Sequence, residues 1–204
     1  MPAAPRLSLK DQTARLREDA ILVAVNALLA EKGFDLMTVD EVAAYVGMSK
    51  ASLYKHFASK DALAAAALVR LLDETLAVIG AQPAGAAPLA KLKAVLRWAL
   101  GLRIAGRMPL LPSTRSSLRE ALAHDEQYMA RLMEVSEQMG AWIEQAQRKR
   151  AIDPGLPPEL VLYTVFARTC DPVLDFMRLS GQHTDDEVIE LMLRTCFEGL
   201  ATRA

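Results

Sequence analysis

The sequence predicts an all-α fold of about nine helices, and three observations carry that reading. The 204 residues are 52% hydrophobic but only 5% aromatic, so the core must come mainly from Ala, Leu, Val, Ile and nine methionines, most of which favour helix. Proline and glycine clusters at 80–88, 106–113, 153–158 and 180–184 divide the chain, and between them apolar residues recur with helical spacing and not with the alternation of strands. Helix-start signatures recur as well, in Thr38 with Glu41 and in Thr184 with Glu187.

The first helix is expected from Thr13 to Lys32, with Ile21, Val25, Leu28 and Leu29 on one face and Gly33 as its stop. Thr38 and Glu41 form a capping box for a short second helix carrying Val42, Ala43 and Val46. Gly47 breaks that helix, and Ser49 caps a third over Lys50 to Phe57. Ser59 caps a fourth, with Asp61 in its first turn. Six longer helices, counting the fourth, lie near 60–79, 88–105, 114–124, 125–150, 158–180 and 185–202. Pro172 interrupts the eighth and is expected to leave the Arg168 carbonyl without its helical donor. In the last helix Ile189, Leu193, Cys196 and Leu200 form a stripe that Val188, Leu191, Met192 and Phe197 widen. With the apolar Leu160, Val161, Leu162, Val165 and Phe166, it is expected to face another subunit.

Formal net charge is -1, so any nucleic-acid surface must be local. One such window exists: Gly47 to Lys60 holds Lys50, Lys55, His56 and Lys60 and no acid before Asp61. Two cysteines, Cys170 and Cys196, are too few for a disulfide framework and fit a reducing compartment; packed thiols are the simpler reading and a redox switch the alternative. The N-terminal segment lacks a continuous apolar run, and no stretch has the length of a membrane span, so the expected location is the cytoplasm. Adjacent His124, Asp125 and Glu126 diverge on a helix and make a poor metal site, and no phosphate-cradling loop or nucleophile-base spacing argues for an enzyme; no cofactor and no metal is expected.

Two short helices joined through a glycine turn read as helix-turn-helix, whose second helix enters the DNA major groove. Eight residues give about 12 Å of helix, comparable with the groove width of about 12 Å. Leu53 and Phe57 point inward, leaving Lys50, Ala51, Ser52, Tyr54, Lys55 and His56 for solvent or ligand. Lys50 suits guanine O6 or N7, Ala51 a thymine methyl, and Ser52 several base edges. Thr38, Ser49, Tyr54, Lys55, His56 and Lys60 suit phosphates. Tyr54 as a prop between helices and His56 as a structural histidine are the alternatives. The first arm, with Arg6 and Lys10, is either a minor-groove contact or a frayed terminus.

The stretch TVDEVAAYVGMSKASLYKHFASKDAL resembles the DNA-binding signature of the TetR family of bacterial regulators, over about residues 15–63. Ala51 stands where the family often has Gly, Met48 where Val is common and Asp61 where Glu is common. Beyond residue 63 the likeness is one of helix lengths plus Glu198, Gly199 and Leu200 near the end. The resemblance implies an N-terminal three-helix helix-turn-helix domain, residues 1–62, and a larger C-terminal helical bundle, residues 63–204, for ligand binding and dimerisation. It also implies a homodimer through the last two long helices, double-stranded operator DNA as partner and a small-molecule effector.

Trp98, Leu102, Met129, Met133, Trp142 and Phe166 have helical spacings able to line an apolar cavity, and Arg103 is a candidate for an anionic group or a salt bridge. The leading expectation is a ligand-responsive transcriptional regulator, a repressor released from a palindromic operator. The alternative is an effector-independent architectural or co-regulatory helix-turn-helix protein, which an apolar pocket without any bindable compound would favour.

Overall fold

A computed structural model describes residues 8–110 and 116–200, and for residues 9–11 the backbone alone. The described residues form ten helices and no strand: α1 (Leu9–Leu36), α2 (Val39–Tyr45), α3 (Lys50–Leu53), α4 (Lys60–Gly80), α5 (Pro88–Ile104), α6 (Ser117–His124), α7 (Glu126–Arg148), α8 (Pro158–Thr169), α9 (Val173–Leu179) and α10 (Asp185–Glu198). The all-α expectation is met. The tenth helix arises because 158–180 is two segments, α8 and α9, parted at Cys170–Pro172. Proline lacks the N–H to continue the ladder. The Arg168 carbonyl, expected to lack its helical donor, is satisfied, since the Asp171 N–H in a tightened final turn donates to it at 3.4 Å.

Helix α4 is the spine. It packs on α1, α5, α6 and α7, and its two ends belong to different cores. Leu63, Ala64, Ala65 and Ala67 join Ile21, Val25, Leu28, Leu29, Val42, Leu53 and Phe57 in the first. Ile79 joins Leu92, Leu96, Met139, Ile143, Leu174 and Met192 in the second. Small alanines on α4 let α1 approach closely, and the burial of complete Leu and Ile side chains, about 1.5–3 kcal/mol each, holds the contact. Two residues of α6, Leu118 and Leu122, also reach into the first core.

Local signals account for most helix ends. Gly33 (φ 75°, ψ 172°) interrupts α1, and one further turn follows, closed by the Met37 N–H on the Gly33 carbonyl at 3.2 Å. Both capping boxes form. Ser59 accepts from the Ala62 N–H at 3.0 Å, and Pro88 opens α5, where a missing N–H costs nothing. Asp125 caps α7 by accepting from the Tyr128 N–H at 2.8 Å, so this member of the His124–Glu126 trio has a structural role. The described residues contain no metal-binding cluster and no helix long and apolar enough to cross a membrane. Arg6 and the side chain of Lys10 lie outside the described residues, as do residues 114 and 115 of the expected sixth helix and residues 201 and 202 of the last.

Candidate nucleic-acid interface

The turn between α2 and α3 is built by one glycine. Gly47 has φ +66°, and the Met48 N–H donates to the Ala43 carbonyl at 3.0 Å while the Gly47 N–H donates to that of Ala44 at 3.2 Å. This is the paired-bond helix ending that needs a left-handed residue. It throws the chain into Ser49, whose hydroxyl accepts from the Ser52 N–H at 3.2 Å and starts α3. Regular helix covers only Lys50–Leu53, not the expected Lys50 to Phe57. Lys55 and His56 donate to carbonyls three residues back, so the segment to Phe57 is a tightened helical turn.

Leu53 (1% exposed) and Phe57 (8%) anchor this rod on the first core. Lys50, Ala51, Tyr54, Lys55 and His56 are exposed and Ser52 is half-buried. The polar face predicted from spacing therefore faces outward. Within it, individual roles differ from expectation. The Thr38 hydroxyl donates to Glu41 Oε2 at 2.9 Å and accepts from the Glu41 N–H at 3.3 Å. Its only proton is thus committed, and donation to a phosphate requires opening the capping box. The Ser49 hydroxyl likewise donates to Ser52 Oγ at 3.0 Å. Lys60 lies over the Phe34 ring at 4.2 Å, a contact that aims its ammonium from the start of α4.

Two features escaped the linear reading. Lys32 donates to Glu41 Oε1 at 2.6 Å; this bond first, and then those from Thr38, hold the Glu41 carboxyl at about 2, well below the usual carboxylate range. Asp40 accepts from Lys50 Nζ at 2.8 Å, and that bond raises the lysine above its ordinary value. The basic window thus contains an acid after all, folded in from ten residues upstream.

The larger part of the molecule holds two sizeable recesses. One, of about 540 Å³, lies between α4, the 108–110 segment, α6, α7 and the end of α8, with Leu68, Leu72, Leu122, Tyr128 and Met129 among its lining and Arg119, Thr169 and Cys170 as its polar groups. Burial raises the Tyr128 phenol above its usual range. The other, of about 770 Å³, is a groove between α5, the α7–α8 loop, α8 and the end of α10, where Lys93, Arg150, Asp153 and Glu198 balance in charge.

Of the seven candidate ligand residues, only Met129 lines the first recess and none lines the second. Leu102 is buried, its chain reaching a smaller recess of about 230 Å³ beside Val23, Tyr45 and Arg70. Trp142 and Phe166 pack against the second core, with Lys91 Nζ 5.4 Å from the Trp142 ring centre. Trp98 is half-buried and Met133 is 57% exposed. Arg103 donates to Asp175 Oδ2 at 2.6 Å and to the Thr169 carbonyl at 3.4 Å, the salt-bridge alternative. Helical period fixes a residue's face, but not which neighbour that face meets, so the α4 and α6 lining was not visible in advance.

A basic, exposed second helix set on a glycine turn defines a helix-turn-helix DNA-binding protein. Residues 21–67 match the family model described as bacterial regulatory proteins, tetR family. The chain is 26% identical over 210 residues to the HTH-type transcriptional regulator RutR of Escherichia coli (strain K12), covering 95% of each. It is 31% identical over 87 residues to the HTH-type transcriptional regulator TcmR of Streptomyces glaucescens, a match spanning 43% of this chain and only 38% of that relative's length. The crystal structure of the transcriptional regulator FadR from Bacillus subtilis in complex with stearoyl-CoA shares the fold, with a TM-score of 0.64 at 15% identity over 90% of this chain and 99% of that one. Residues 21–67 therefore carry a tetR-family helix-turn-helix segment, and the whole chain shares the fold of solved TetR-family regulators.

Proposed function

We propose that this regulator is a homodimeric repressor in the cytoplasm, released from a palindromic operator when a largely apolar small molecule enters the recess of about 540 Å³. Leu122 carries the reading. It lines that recess and also packs in the first core, under the helix-turn-helix. A guest against Leu122 therefore pushes on the layer that seats α3. Ser117 adds a second link from α6, donating to Asp61 Oδ1 in the first turn of α4 at 2.9 Å. Coupling of about 1–3 kcal/mol is typical of such linkage.

The bound stearoyl-CoA of FadR makes an acyl chain the first effector to test. For the subunit contact, Leu160, Tyr163, Val173, Phe176 and Leu179 on α8 and α9 leave large apolar surface exposed, and a second copy would cover it. Two α3 rods so related need centres about 34–36 Å apart to enter successive major grooves. Residues 1–62 act as the DNA-binding unit and 63–204 as the ligand-binding and dimerisation unit, with Lys50, Ala51 and Ser52 towards bases and Tyr54, Lys55, His56 and Lys60 towards phosphates; Thr38 and Ser49 donate to phosphate only when their caps open. Lys60→Ala is expected to weaken binding to all sequences and to lower the salt slope by about 0.9.

Mobility shift of the protein on the DNA upstream of its own gene, with and without stearoyl-CoA and shorter acyl compounds, tests the whole proposal. Retarded DNA released by at least one acyl compound is expected. DNA that is retarded but indifferent to every compound, with no thermal shift of the protein, would instead support the effector-independent alternative.

A further inference from the structure

The ion pair between Lys50 and Asp40 has a consequence for sequence recognition. Lys50 Nζ lies 2.8 Å from Asp40 Oδ2, with the side chains 47% and 70% exposed. An exposed pair of this kind contributes little to folding, so its presence is not explained by stability. Its position is informative: Asp40 projects from the first turn of α2, and Lys50 is the first residue of α3, where recognition helices meet base edges. The sequence from Gly47 to Lys60 contains no acid of its own.

An ammonium group is a mobile point charge with three donors. Left alone on a DNA-facing surface, Lys50 would turn to the nearest phosphate, a contact without sequence information. A carboxylate takes one donor, fixes the direction of the other two and lowers the gain from any phosphate contact. Two directed donors are what guanine O6 and N7 accept. Resting on the reading of α3 as the base-facing helix, we infer that Asp40 is a specificity-determining positioning residue, which holds Lys50 for a base edge and withholds it from the phosphate backbone.

The competing explanation is that Asp40 merely complements the α2 dipole. That role predicts a change in thermal stability with no change in base preference. The two separate in a double-mutant cycle using Asp40→Asn, Lys50→Ala and the double variant. A duplex selected by wild-type protein from a randomised pool and a scrambled duplex of equal length would be titrated across salt concentrations.

Asp40→Asn is expected to raise affinity for the scrambled duplex and to steepen its salt dependence by about 0.9 in log–log slope. It should lower the selected-to-scrambled ratio at least about fivefold, the low end of one lost base contact. In the Lys50→Ala background the same substitution should leave the ratio unchanged. Parallel gains on both duplexes, or the same ratio change with Lys50 absent, would overturn the inference while leaving the DNA-binding reading intact. Failure of the wild type to select any duplex would overturn both.

Discussion

At the scale of single residues, Gly47 fixes the angle between α2 and α3. Its φ of +66° is available to glycine without cost, whereas a Cβ there adds about 1–2 kcal/mol of strain. Beyond the adjoining residues, no atom lies within 4 Å of where that Cβ would stand among the described residues, so the effect is conformational. Gly47→Ala is expected to lower unfolding free energy by about 1–2 kcal/mol, read as a reduced denaturant midpoint at unchanged slope. A midpoint equal to that of the wild type would remove the glycine from this role. Residue-scale chemistry was legible in the sequence where the partner is three or four positions away. The Thr38–Glu41 and Thr184–Glu187 boxes and the Ser49 and Ser59 caps form as spaced. The Lys50–Asp40 and Lys32–Glu41 bonds span ten and nine positions, across turns whose path sets the contact. No periodicity encodes them.

At the scale of elements, α2 is seven residues long and depends on its start. Glu41 closes the box and also receives Lys32, and its carboxyl is held at about 2. Because the folded value lies below the ordinary 4.5, the unfolded chain takes up the proton first as pH falls. The contribution of this carboxylate is therefore complete above pH 4.5 and declines as the pH drops towards 2. Protection factors of the α2 amides, corrected for the pH dependence of intrinsic exchange, should fall over that window in the wild type and show a weaker pH response in Glu41→Gln. An equal response in both would assign the acid sensitivity to other carboxylates. The eighth helix of the sequence reading shows the limit of pattern at this scale. Pro172 marks an interruption, but only the geometry distinguishes a kinked helix from two helices, α8 and α9, parted at Cys170–Pro172. The third helix shows the same limit, since a capped start does not predict how tightly its last turn winds.

At the scale of the whole molecule, α4 and α6 join what the sequence divides. A boundary at residue 62 falls inside α4, which runs unbroken from Lys60 to Gly80, and α6 places Leu118 and Leu122 in the first core, with Leu53 and Phe57. The proposed effector sensing is mechanical, a change in the recess transmitted by rigid helices to the separation of two α3 rods. It requires two subunits. Phe176, 68% exposed on α9, lies in the apolar face assigned to the second copy. Phe176→Glu is predicted to convert a dimer into a monomer in light scattering and to weaken binding to a palindromic duplex far more than to a half-site. A dimer of unaltered mass would place the subunit contact elsewhere.

Operator binding as proposed depends above all on the outward face of α3 meeting DNA. The direct measurement is a fluorescence anisotropy titration of the upstream duplex with the wild type and with the Lys50→Ala, Tyr54→Ala double variant, after circular dichroism has shown that both fold alike. Loss of affinity in the double variant by at least tenfold, about 1.4 kcal/mol, is the predicted result. Equal affinity of the two proteins would contradict the assignment of this face.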